Sequence, residues 1–129
     1  MGKKIYFTYY IVNLLHLFFS VIDSKGSEPA LNKRTINFGK LPKSKNKIIA
    51  VYTLYNHTNE NIQIKKIDKT CGCTTIKYTK AFLRKGDFTK IYINIDIKSI
   101  NGFFLKSAYI RFFKHPPLLL KIKGYKESY

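Results

Sequence analysis

Two cysteines separated by one glycine, in the segment Cys71-Gly72-Cys73-Thr74, are the residues best placed to do chemistry in this 129-residue chain. In an extended strand, residues two apart point to the same face. Their Cα atoms then stand roughly 6.5 Å apart, near the upper limit for a disulfide. Gly72 lets the backbone bend and close that gap, at some strain. A bond held this way is easily reduced, so a thiol–disulfide site is one reading. Two thiolates are also ligands for a soft ion such as Cu(I) or Zn, although a structural zinc site wants four ligands, usually as two pairs. The plain reading is a pair of buried or bonded cysteines packing as small apolar residues. Spacing alone leaves all three open.

Little else in the chain suggests catalysis. A cysteine nucleophile needs a neighbouring base and a group to orient it. His57 and His115 are the available histidines beyond the N-terminal segment, and both fall in turn-like sequence. Asn56-His57-Thr58 fits the acceptor pattern for N-glycosylation. There is no G-x-S-x-G elbow, H-E-x-x-H helix or glycine-rich phosphate loop, and seven Asp and Glu leave little room for a paired-carboxylate hydrolase. The chain reads as a non-enzyme that calls for no cofactor.

The formal charge of +17 invites a nucleic-acid or anionic-membrane partner. The composition argues against nucleic acid. Of 24 basic residues only Arg34, Arg84 and Arg111 are arginine, and the lysines are spread along the chain. Bidentate contacts to bases and phosphates favour arginine. The excess of Lys, Ile, Phe, Tyr and Asn follows the AT-rich codons, so mutational bias accounts for much of the charge. Lys40, Lys43, Lys45 and Lys47 form the densest local set and are a possible interaction surface.

The elements that must position these residues come in three parts. Lys3 and Lys4 precede an uncharged run from Ile5 to Ile22, closed by Asp23. A basic start followed by an apolar run is a signal peptide or an N-terminal anchor, here expected as a hydrophobic helix over residues 1–22. The lysines keep the N-terminus in the cytoplasm and send the rest across the membrane. Residues 23–34 are polar, with Gly and Pro, and read as a linker. From Thr35 the pattern has period two. Ile91, Ile93, Ile95 and Ile97 alternate with Tyr92, Asn94 and Asp96, the mark of a half-buried strand. Phe104, Ala108, Ile110 and Phe112 form a second such set, and Leu118, Leu120 and Ile122 a third. Ile48, Ala50, Tyr52 and Leu54 share one parity and Ile49 and Val51 fill the other, which predicts a central strand. Ile62 and Ile64 continue the alternation and Ile67 breaks it, so a bulge there would restore the register. Turn signals at 56–61, 85–87, 101–102 and 116–117 separate the runs. Short strands at this spacing make an all-β sandwich or barrel. Strands are expected near 35–38, 47–56, 61–68, 74–79, 89–97, 104–113 and 118–124.

In order along the chain stand Asn37-Phe38-Gly39, Tyr52-Thr53-Leu54-Tyr55-Asn56, Cys71-Gly72-Cys73-Thr74, Lys85-Gly86, Gly102-Phe103-Phe104-Leu105-Lys106 and Ile122-Lys123-Gly124. This series resembles the bacterial domain-of-unknown-function family 1573 over about residues 35–125. Lys85 departs from the family's turn proline, Tyr52 and Leu54 from its paired phenylalanines, and Phe113-Lys114 from its S-N or T-N turn. The resemblance implies an immunoglobulin-like sandwich of the ASPM/Hydin type, here of about seven strands at residues 35–125 with a tail at 126–129. It also implies an envelope protein without assigned activity. The combined expectation is an exported, periplasmic or cell-envelope interaction module. Its partner would be another envelope protein, and residues 1–22 would hold it to the inner membrane if they are not cleaved. The alternative is a redox or metal site at Cys71 and Cys73, with Gly72 and Thr74 completing the motif.

Overall fold

The computed structural model describes residues 28–128, and the expected helix over residues 1–22 lies outside them. Among the described residues no helix is long and apolar enough to cross a membrane. Nine strands run in chain order: β1 (Ala30–Leu31), β2 (Thr35–Leu41), β3 (Lys47–Tyr55), β4 (Ile62–Lys69), β5 (Thr74–Tyr78), β6 (Phe82–Leu83), β7 (Phe88–Asp96), β8 (Gly102–Phe112) and β9 (Leu118–Lys126). The seven longer ones match the seven periodic runs. β1 and β6 have two residues each, too short for alternation to show, and β1 falls within the span read as a linker.

The strands form two facing sheets, ordered β1-β3-β7-β5 and β2-β9-β8-β4-β6. The inward parity of each long strand fills the space between them: Ile48, Ala50, Tyr52 and Leu54 from β3, Ile91, Ile93 and Ile95 from β7, Phe104, Ala108, Ile110 and Phe112 from β8, and Leu118, Leu120 and Ile122 from β9. Burying each large side chain contributes about 1.5–3 kcal/mol, and this interdigitation is the main force holding the sheets together. Directed hydrogen bonds join them as well. The Tyr52 hydroxyl on β3 donates to the Lys121 carbonyl on β9 at 2.6 Å.

Two irregularities shape the second sheet. Between β4 and β8 the register shifts at Ile64/Lys66, which returns Ile67 to the core side opposite Ile110. That is the bulge expected from the broken parity. The second lies in β2, which pairs in parallel with β9 and slips between Asn37 and Lys40. Gly39 sits there at φ +66°, and its N–H donates to Asn37 Oδ1 at 2.9 Å. Only a residue without Cβ takes that conformation readily. Across β9, the Phe104 ring lies over Gly124, where an added Cβ would meet Phe104 Cζ at 2.7 Å. The glycines of the N-F-G and I-x-G motifs thus serve a bulge and a close ring approach.

β3 is an inner strand of its sheet, between β1 and β7, as expected. Its second parity is not buried: Ile49 is 56% and Val51 38% exposed, and among the described residues no layer covers the outer face of that sheet.

Candidate functional site

The Cys71–Thr74 segment is the turn that carries the chain from β4 in one sheet to β5 in the other. Cys71 and Cys73 are bonded to each other, with their Cα atoms 5.2 Å apart, closer than the extended-strand value. The Thr74 N–H donates to the Cys71 carbonyl at 3.2 Å, which bends the backbone at Gly72. Both sulfurs are half-buried and Gly72 is exposed, while Thr74 is buried with its hydroxyl 3.9 Å from Cys73 Sγ. The Cys73 N–H donates to Cys71 Sγ at 3.1 Å.

Hydrogen bonds outside the sulfurs hold this turn in place. The Asp96 N–H on β7 donates to the Cys73 carbonyl at 3.0 Å. The Thr70 N–H and hydroxyl both donate to the Ser107 carbonyl on β8, at 3.2 and 3.0 Å. Lys69 Nζ donates to the Thr74 carbonyl at 2.5 Å. A bond between residues two apart closes so short a loop that its chain-entropy contribution is about 1.6 kcal/mol, against about 3 for a 15-residue loop. It ties no two strands together.

Cys73, and not Cys71, lines a groove of about 450 Å³ on the outer face of the first sheet, with Lys47, Lys77, Asn94 and Asp96 around it. Lys47 from the expected interaction surface is thus brought beside the cysteine turn. The other lysines of that set are placed elsewhere: Lys43 and Lys45 lie exposed in the β2–β3 loop, and Lys40 on β2 pairs with Glu127 at 3.2 Å. Among the described residues no three His, Cys, Asp or Glu side chains gather to hold a metal. His57 stacks on Tyr55 with ring centroids 5.4 Å apart, and His115 packs edge-on to Phe112; neither lines the groove.

The glycosylation-like segment turns out to be structural. Asn56 is fully buried. Its amide donates to the carbonyls of Glu60 and Leu83 at 2.8 and 3.0 Å, and its Oδ1 accepts from the Thr58 N–H and hydroxyl at 3.0 and 2.6 Å. Its main-chain N–H reaches the Asp87 carbonyl and its carbonyl receives the Gly86 N–H. An amide used this way is not free to carry a glycan. Within the same cluster the Asp87 carboxylate accepts from the Arg84 N–H. That bond, with the Lys80 ammonium nearby, lowers its pKa from the ordinary carboxylate value.

A further feature is the outer edge of β3. Alternate β3 residues face β7: Asn46 accepts from Ile97 and Asn56 donates to Asp87, so the even-numbered residues between them carry that ladder. The odd-numbered residues point the other way. Tyr55 pairs with Ala30 of β1, and Thr53 exchanges bonds with Asn32. Lys47, Ile49 and Val51 then present N–H and C=O groups with no strand beside them among the described residues. Two other edges carry a local interruption: β2 has the Gly39 bulge, and on β5 the outward Thr74 carbonyl is taken by Lys69. The apolar residues on both parities of β3 predict a central strand, and nothing in the sequence marks this edge as open. An additional apolar patch, with Phe103 88% exposed and packed edge-on to Tyr125, lies on the outer face of the second sheet, where the backbone is already paired.

A protein-family model described as "Protein of unknown function (DUF1573)" matches residues 30–125. No curated protein matches the chain in sequence. Among solved structures, a protein of unknown function from Porphyromonas gingivalis W83 is similar at a TM-score of 0.66 and 14% identity, over 75% of this chain and 46% of that one. The VesB protease of Vibrio cholerae follows at 0.62 and 11%, over 79% of this chain and 32% of that one. The ASH/PapD-like domain 7 of human CEP192 is similar at 0.58 and 12%, over 81% of this chain and 89% of that domain. The chain thus spans less than half the length of the first two. At these identities the likeness is one of fold: an immunoglobulin-like, PapD-like β-sandwich.

Proposed function

The chain belongs to the DUF1573 family, and on that premise we propose that it is a non-catalytic interaction module of the cell envelope that captures a partner by accepting a strand beside β3. The observation that carries this reading is the β3 edge, where among the described residues no strand stands beside Lys47, Ile49 and Val51 and the side chains of Ile49 and Val51 are exposed. Strand addition draws affinity from main-chain hydrogen bonds and specificity from alternate side chains. Lys43, Lys45 and Lys47 stand at the entrance to this edge, which favours a partner segment with acidic residues at one end. The Cys71–Cys73 bond agrees with an oxidising compartment, and Lys3-Lys4 with the apolar run after them agrees with export or membrane attachment.

Val51→Pro tests the reading, because it removes an outward N–H without touching the β3–β7 ladder. A photo-crosslinker at Ile49 in living cells is expected to give one envelope-protein adduct that disappears with Val51→Pro. An adduct that survives the proline overturns strand addition. Membrane fractionation with N-terminal sequencing separates an anchored chain from a cleaved one.

A further inference from the structure

We propose that the Cys71–Cys73 bond is a thiol–disulfide exchange site, with Cys73 as the sulfur attacked and Cys71 as the leaving thiolate, and that its co-reactant is a protein dithiol. Four observations converge. The bond lies inside one turn and joins no two strands. The turn keeps its place through Asp96, Ser107 and Lys69, whose bonds do not involve sulfur, so opening the disulfide leaves the fold standing. Cys73 borders an open groove, and Lys47 and Lys77 on its walls attract an incoming thiolate. The Cys73 N–H already points at Cys71 Sγ, at 3.1 Å, where it stabilises negative charge as it develops.

The exchange balances in two steps. A thiolate of the partner attacks Cys73 Sγ. A new S–S bond forms between partner and Cys73, the Cys71–Cys73 bond breaks, and its electron pair leaves on Cys71. The partner's second thiolate then attacks its own bonded sulfur and releases Cys73 as a thiolate. The partner dithiol is oxidised to a disulfide and loses two protons to water. The domain is reduced by two electrons, and its two thiolates take up two protons. The site is independent of the β3 edge, so Val51→Pro is expected to leave exchange unchanged.

The test uses the full folded chain in buffers of reduced and oxidised glutathione, quenched with an alkylating reagent and read by intact mass. Circular dichroism follows the fold in parallel. The expected result is a bond that opens and recloses with the glutathione ratio while the β-sheet signal stays constant. The oxidised chain is then treated briefly with reduced glutathione and quenched in acid, and peptide mapping by mass locates the mixed disulfide. Glutathione is expected on Cys73 about tenfold more often than on Cys71. A bond that stays closed in reduced glutathione until the protein unfolds overturns the proposal. Equal glutathione on the two cysteines, or more on Cys71, overturns the assignment of Cys73 as the attacked sulfur.

Discussion

At Cys71–Thr74 a covalent bond joins two half-buried sulfurs within one turn; at Asn56–Glu60 a buried amide joins its own turn to the distant Leu83 without any covalent bond. The first turn looks the stronger in sequence and holds less together. Its bond spans two residues, whereas Asn56 reaches Leu83 across 27 positions and its backbone meets Gly86 and Asp87. A tie is worth what it prevents from separating, so the amide outranks the disulfide as a structural element. The disulfide is correspondingly free to serve chemistry.

That ranking can be broken by measurement. Asn56→Ala is expected to cost about 3 kcal/mol, because it strands the Leu83 carbonyl, takes one of two donors from the Glu60 carbonyl and removes the acceptor for the Thr58 N–H. Its thermal midpoint should fall by more than about 10 °C. Removing the disulfide with Cys71→Ser and Cys73→Ser together is expected to cost no more than about 1.6 kcal/mol in urea unfolding, half the penalty of Asn56→Ala. A larger loss would reverse the comparison and make the sulfur bond the structural one. Tyr52→Phe, which removes the single bond from Tyr52 to Lys121 across the core, is expected to cost about 1 kcal/mol. Burial, partly offset by the Ile36 main chain, pushes the Tyr52 hydroxyl up to about 12 from 10.0. The folded state then holds the proton where the unfolded state has lost it. The stability from this group is complete below pH 10, and it drains away as pH rises toward 12. Tyr52→Phe should flatten that alkaline slope in a pH series of unfolding curves. Val51→Pro should change stability least, by about 0.5 kcal/mol or less, because its N–H faces no strand among the described residues.

Acid has a local counterpart at the amide turn. The Arg84 N–H holds Asp87 ionised below the usual carboxylate range. Its contribution is present above the unfolded pKa and is lost as pH falls through the folded one. Asp68, held low by Arg111 and then Lys66, behaves the same way. Both are exposed, so salt should weaken each effect.

Much of the fold was legible because a half-buried strand writes its burial into alternate residues. Ile91, Ile93 and Ile95 announce β7, and the parity break at Ile67 announces the slip between β4 and β8. The cysteine turn was legible as a pair of thiols two residues apart, and its bond is present. The meaning of Asn56-His57-Thr58 was not, because the same three residues serve equally as a glycan acceptor or a buried turn, and Leu83 decides between them. Nor was the exposed face of β3, since apolar residues on both parities do not say whether a second layer exists.

The sequence by itself determined the strand periods and the turns and put two thiols two residues apart, all of which depend on neighbours a few positions apart; the bond between Cys71 and Cys73 came from the structure. Only the tertiary structure decided that β2 joins β9 in parallel and that Asn56 is buried. Among the described residues the tertiary structure also left Lys47–Val51 of β3 without a strand on its outer side, and it put Lys47 beside Cys73. Those outcomes depend on which strands meet across the sandwich, and that is set by the packing of all the inward faces at once.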